Sequence, residues 1–148
     1  MSGITLHIED PKWRTHRGLQ ARLKTAAEAA RKAGKLKGDF TILLTSDKAL
    51  RALNRDFRGK DKPTNVLSFP SGDGYAGDIA IAHGVTAREA KAAGKRFADH
   101  AAHLVVHGVL HLAGHDHERS RDAKVMEPLE VKILKRLGIA DPYAAAQP

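Results

Sequence analysis

The chain contains no cysteine. No disulfide can brace it and no thiolate can bind zinc, so any metal falls to His, Asp or Glu. It also lacks a long apolar run. Nothing approaches the roughly 20 residues that span a bilayer, and the opening MSGITLHIED has neither a basic nor an apolar leader segment. The expectation is a soluble, cytoplasmic protein that makes no use of a membrane. Acidic residues are in deficit: 17 Asp and Glu face 25 Lys and Arg, a formal charge of +8 with His neutral. That excess favours a polyanionic partner, nucleic acid first among them, although a basic surface can also serve solubility alone. Aromatics are only 5%. Base stacking could draw on Trp13, Tyr75 and Tyr143, the four Phe being mostly core candidates, so recognition should be weakly sequence-specific.

What is present suits one domain over residues 1–148 with a frayed tail at 144–148: 42% hydrophobic and 28% charged residues are ordinary globular values. Ile4, Leu6 and Ile8 alternate with polar residues as in a half-buried strand. Asp10-Pro11 starts a helix that helical spacing carries from Trp13 to Gly34. Residues 40–45 form a second strand, and Ser46 caps a second helix that turns Leu50, Leu53 and Phe57 toward the core. Residues 66–69 and 77–81 are strands joined by a Pro/Gly-rich loop. Helices are expected over 86–93 and 95–113, ending at Gly94 and Gly114, and a last one from near Glu127, where Pro128 limits an earlier start. The fold class is α+β: a roughly four-stranded mixed sheet against about five helices, the longest of them central and metal-binding. The strand order is not legible.

That central helix carries HGVLHLAGHDH, residues 107–117. Positions four apart differ by about 40° in azimuth and 6 Å along the axis, so His107 and His111 form a chelating pair on one face. A lone His on an apolar helix is ordinarily a core residue. Here, though, Gly114 lets the chain turn back in a left-handed conformation and bring a third ligand from residues 114–117 over the same face. Three imidazoles leave a tetrahedral metal one open position, the layout of a catalytic site. His103 lies about 12 Å from His111 along the axis, too far to share an ion, and suits a supporting or substrate-contacting role. His100 is expected in the core or at the surface. The spacing differs from H-E-x-x-H in that Gly108 replaces the general-base Glu of metallopeptidases, which would leave open space beside the metal.

The stretch fits H-G-x-L-H-L-x-G-x-D-H and resembles the YbeY family of metal-dependent endoribonucleases. Residues 58–70, RGKDKPTNVLSFP, resemble the family's second signature, Gly77-Asp78-Ile79 its third, and Met126-Glu127 with residues 134–138 its C-terminal helix. The resemblance runs from about Leu53 to Gly138. It implies a single-strand-directed endoribonuclease of ribosomal RNA maturation and ribosome quality control. Its partners would be single-stranded RNA, ribosomal RNA and the ribosomal small subunit, with no DNA expected. It also implies one bound zinc, with His107, His111 and His117 as the ligands and Arg58 as an arginine serving the reaction. Position 115 varies in the pattern, so His115 is not carried over.

The residue types suit that chemistry. Arg58 offers a planar, permanently charged fork for phosphate oxygens, and Lys60 and Lys62 extend a phosphate-tracking strip. Asp116 could orient His111 or His117, cap a turn or take a proton, and Asp78 is expected to be a buried structural carboxylate. Imidazole sites also accept Ni, Cu or Fe, so zinc is not fixed by the residues. Two rivals remain: a non-catalytic ribosome-biogenesis RNA-binding factor with a structural metal, and another metallohydrolase such as a peptidase. A zinc nucleobase deaminase is excluded, because its Pro-Cys-x-x-Cys ligands are absent.

Overall fold

The computed structural model describes residues 3–72, 74–114 and 120–143. They form four strands, β1 (Ile4–Ile8), β2 (Asp39–Thr45), β3 (Val66–Pro70) and β4 (Tyr75–Ala82). Five helices accompany them: α1 (Leu19–Gly34), α2 (Asp47–Arg58), α3 (His83–Ala92), α4 (Phe97–Leu112) and α5 (Ser120–Arg136). The sheet runs β1-β2-β4-β3, with β1, β2 and β4 parallel and β3 antiparallel to β4. This is the mixed four-stranded α+β arrangement expected. Among the described residues no helix is long and apolar enough to cross a membrane.

The sheet separates two layers. Phe40, Ile42, Leu44, Ile79 and Ile81 face α1 and α4 in the main core, where Leu23, Ala27, Val105, Val109 and Leu110 are fully buried. The opposite face buries Leu67, Ala80 and Ala82 under Leu50 of α2. Strand periodicity of two explains how one strand serves both cores. Helix α4 is apolar around most of its circumference because α1, α3, α5 and the sheet all pack against it.

Four expectations need correction. The first helix is two elements: Pro11–Thr15 is a 3-10 turn capped by Asp10 Oδ1, and Gly18, at φ +74°, breaks the path before α1. Helix α5 already begins at Ser120 and runs through Pro128, whose missing N–H removes one backbone bond without ending the helix. Phe57 is 68% exposed rather than in the core. It lies near the end of α2, its ring edge-on to that of Phe69 with centroids 5.4 Å apart. Gly108 opens no space: it is buried against the sheet, and a Cβ there would lie 2.7 Å from Ile79 Cγ2. Its absent side chain lets α4 approach β4, and its carbonyl accepts a hydrogen bond from Ser68 Oγ at 3.1 Å.

Candidate metal centre

Helix α4 sets His100, His103, His107 and His111 in a row at spacings of three and four residues, with ring centroids 6.0, 6.3 and 4.6 Å apart in succession. The last two converge most closely, His107 Nε2 and His111 Nε2 lying 3.0 Å apart. Gly114 follows in the expected left-handed conformation, φ +97°. His117, together with His115 and Asp116, lies outside the described residues, so the third expected ligand has no position here.

The residue that the sequence reading missed is Glu130. Helix α5 delivers its carboxylate to the histidine row with no exposed surface. His103 Nε2 lies 2.8 Å from Oε2 and His107 Nδ1 3.1 Å from Oε1. Tyr143 Oη donates to Oε2 at 2.9 Å. Burial works to raise the Glu130 carboxyl, but the hydrogen bonds and charges of the two histidines outweigh it and hold the group down at about 2. Burial and the neighbouring Glu130 charge push the Tyr143 phenol well up. A signal did exist: Glu130 falls four residues after Met126 and three before Ile133, inside the buried stripe of α5, where an unpartnered carboxylate is not tolerated.

His103, His107 and Glu130 bring a ligand atom each within 4.8 Å of one another and could hold a metal ion as a group. His107 and His111 offer a second, overlapping donor pair through their Nε2 atoms. The first set is two nitrogens and an oxygen, the second two nitrogens, and neither has a thiolate, chemistry that fits a borderline divalent transition metal. His100 is tied elsewhere: its Nε2 meets Glu89 Oε1 of α3 at 2.9 Å, and burial lowers its pKa more than Glu89 raises it.

Arg58 is the last residue of α2 and is exposed, on the other layer of the sheet from the histidines, with edge strand β3 between the layers. Arg51 pairs with Asp61 and Arg55 with Asp56, whereas Arg58 has no ion pair among the described residues. The loop after it is pinned from below, because buried Asn54 donates its side-chain amide to the Lys62 carbonyl at 3.0 Å. Lys60 and Lys62 are exposed beside it. A groove of about 480 Å³ under α2 is lined by Thr41, Leu43, Leu53, Phe57, Phe69, Asp78 and Ala80. Asp78 is exposed rather than buried, and accepts from Tyr75 Oη at 2.6 Å. Trp13 is unavailable for stacking: it is fully buried, its Nε1 donating to the Thr45 carbonyl at 2.9 Å.

Residues 6–138 match the family model described as Endoribonuclease YbeY. An Endoribonuclease YbeY of Chelativorans sp. strain BNC1 is 54% identical over 136 residues, covering 86% of this chain and 83% of that protein. One from Maricaulis maris is 44% identical over 153 aligned positions, covering 100% and 96%. The solution structure of TM1509 from Thermotoga maritima superposes with a TM-score of 0.65 at 28% identity, covering 90% of this chain and 88% of that one. With the family signature spread across both layers of the fold, from the α2 end to α5, the chain belongs to the YbeY endoribonuclease family.

Proposed function

We propose that the chain is a single-strand-directed, metal-dependent endoribonuclease that acts in ribosomal RNA maturation and ribosome quality control, on the small subunit. Zinc is its metal, held by His107, His111 and His117. The observation that carries this reading is the convergence of His107 and His111 Nε2, 3.0 Å apart on one face of α4. The names of the relatives support RNA as substrate and endonucleolytic cleavage as the reaction, and the +8 charge suits it.

When bound, the metal supplies Lewis acidity toward a phosphoryl oxygen and acidifies its water. The chain supplies the rest. Arg58 grips non-bridging phosphate oxygens bidentately and stabilises the charge that develops there, a role that suits the one α2 arginine without an acidic partner among the described residues. Lys60 and Lys62 follow the backbone of a strand that crosses the β3 edge from the α2 layer to the histidines. A peptidase is disfavoured because position 108 has no room for a general base: its Cβ direction is filled by Ile79.

Metal analysis of the purified protein beside a single-stranded RNA cleavage assay tests the reading, and Arg58→Ala separates its parts. That variant should keep its metal and most of its RNA affinity, while cleavage falls by roughly 10² to 10³. Near-normal cleavage would remove Arg58 from the site and favour the non-catalytic RNA-binding factor.

A further inference from the structure

We propose that Glu130 is the positioning residue of this centre and not one of its ligands: its carboxylate takes the Nδ1–H of His107 and thereby fixes the tautomer that presents Nε2 beside His111. The inference rests on the reading that His107 and His111 bind the metal.

Three observations carry it. First, the carboxylate is already engaged on both oxygens. Oε1 faces His107 Nδ1 at 3.1 Å, and Oε2 faces His103 Nε2 at 2.8 Å and accepts from Tyr143 Oη at 2.9 Å. A metal ion ligated by Glu130 would displace donors that this fully buried group needs.

Second, the geometry of His107 divides its two nitrogens between different partners. A carboxylate can only accept, so the nitrogen facing it carries the hydrogen. A neutral imidazole has one N–H, which leaves the lone pair on Nε2. That atom is 3.0 Å from His111 Nε2, close to the roughly 3.3 Å edge of a tetrahedron built on bonds of about 2.05 Å. The alternative group that includes Glu130 would have to recruit Nδ1, the nitrogen turned away from His111.

Third, the supporting shell is built from two elements and closed by a third. Helix α4 presents His103 and His107, α5 presents Glu130, and Tyr143 lies in the turn beyond α5, its ring perpendicular to that of His103 at 5.6 Å. His103 is therefore occupied by the carboxylate rather than by the ion. It shares the load of solvating a buried charge, which leaves Glu130 fixed in the orientation that His107 requires.

The test uses the full chain in four forms: wild type, Glu130→Gln, Tyr143→Phe and His111→Ala. Zinc affinity is measured by competition with a chromophoric chelator, and histidine tautomers by ¹⁵N NMR on wild type before and after zinc addition. Glu130→Gln should bind one zinc about ten- to a hundredfold more weakly than wild type, Tyr143→Phe less than tenfold more weakly, and His111→Ala not measurably. Wild-type His107 should show a single Nδ1–H form in both states. This last measurement needs no variant to fold.

An Nε2–H tautomer of His107 in the metal-free protein would overturn the proposal. Wild-type affinity in Glu130→Gln would also overturn it while leaving the metal centre standing. A loss as complete as that of His111→Ala would make Glu130 a ligand instead. A wild type that takes up no zinc would sink the underlying reading along with it.

Discussion

Among the described residues two pairs of histidines approach about equally closely, and one of the two has the surroundings of a metal site. His107 and His111 Nε2 are 3.0 Å apart; His16 and His83 Nε2 are 2.9 Å apart. Separation therefore decides nothing. The first pair backs onto the buried carboxylate of Glu130. The second sits among rings: His16 stacks on Phe97 at 4.0 Å with planes 8° apart, and His83 meets Trp13 edge-on at 5.2 Å. Helix ends add to the contrast. His111 lies in the last turn of α4, where the helix dipole favours a cation, whereas His83 is the first residue of α3, where the dipole opposes one. The reading of His107 and His111 as a metal centre rests on the carboxylate and dipole around them, whereas His16 and His83 sit among aromatic rings, with His83 at a helix start.

The sharpest way to break this comparison is to remove one member of each pair. His107→Ala should lose its metal and with it all measurable RNA cleavage, because no other described group replaces the nitrogen that faces His111. His83→Ala should retain both. Metal content and cleavage rate on the two purified variants decide the matter, and metal lost from His83→Ala would mean that the aromatic pair binds an ion after all.

The next effect falls on stability. Trp13 is fully buried, touches His83 and Phe97, and hydrogen-bonds the Thr45 carbonyl. Trp13→Ala should therefore destabilise the fold by about 3–5 kcal/mol, a large share of the roughly 5–15 kcal/mol that holds a domain together. His111→Ala should leave the metal-free protein close to wild type. Urea unfolding of both variants without metal checks the pair. Equal losses would mean that the two clusters do not divide into a structural and a functional one.

How much of this was legible in the sequence follows from where each partner sits. The His107/His111 pair was readable because both residues lie on one helix, where spacing alone fixes the shared face. The five helices and the mixed sheet were readable for the same local reason. Glu130 was not, since its partners come from another element, and only its place inside an apolar stripe marks it. The fate of Gly108 depended on which side of α4 meets β4, a tertiary fact. Phe57 followed the stripe of Leu50 and Leu53, but it lines the open groove beside Phe69 and stays 68% exposed, again a tertiary fact. Pro128 should have stopped a helix by local rules, yet α5 continues through it, packed on α1 and α4. The expected third ligand, His117, remains a proposal that rests on the family pattern.

The smallest predicted effect is a pH dependence, and it belongs to the aromatic pair. Burial pushes His16 below the usual 6.5, and burial followed by the nearby His16 does the same to His83. One ring donates the single N–H between the two Nε2 atoms. Protonating both would break that bond and set two cations side by side under Phe97. In the unfolded chain both groups keep the ordinary value near 6.5. The unfolded state therefore binds more protons as pH falls, so stability rises with pH in this range. The contribution is present in full above about 6.5 and is lost progressively as pH falls below it toward the folded values. His100, also lowered by burial, adds in the same direction. Metal-free protein should consequently unfold at a lower urea concentration at pH 5.5 than at 7.5. His83→Gln, which cannot be protonated, should flatten part of that slope and leave the shares due to His16 and His100. Parallel pH profiles for wild type and His83→Gln would show that the pair binds protons alike in the folded and unfolded states and that its close approach carries no linkage.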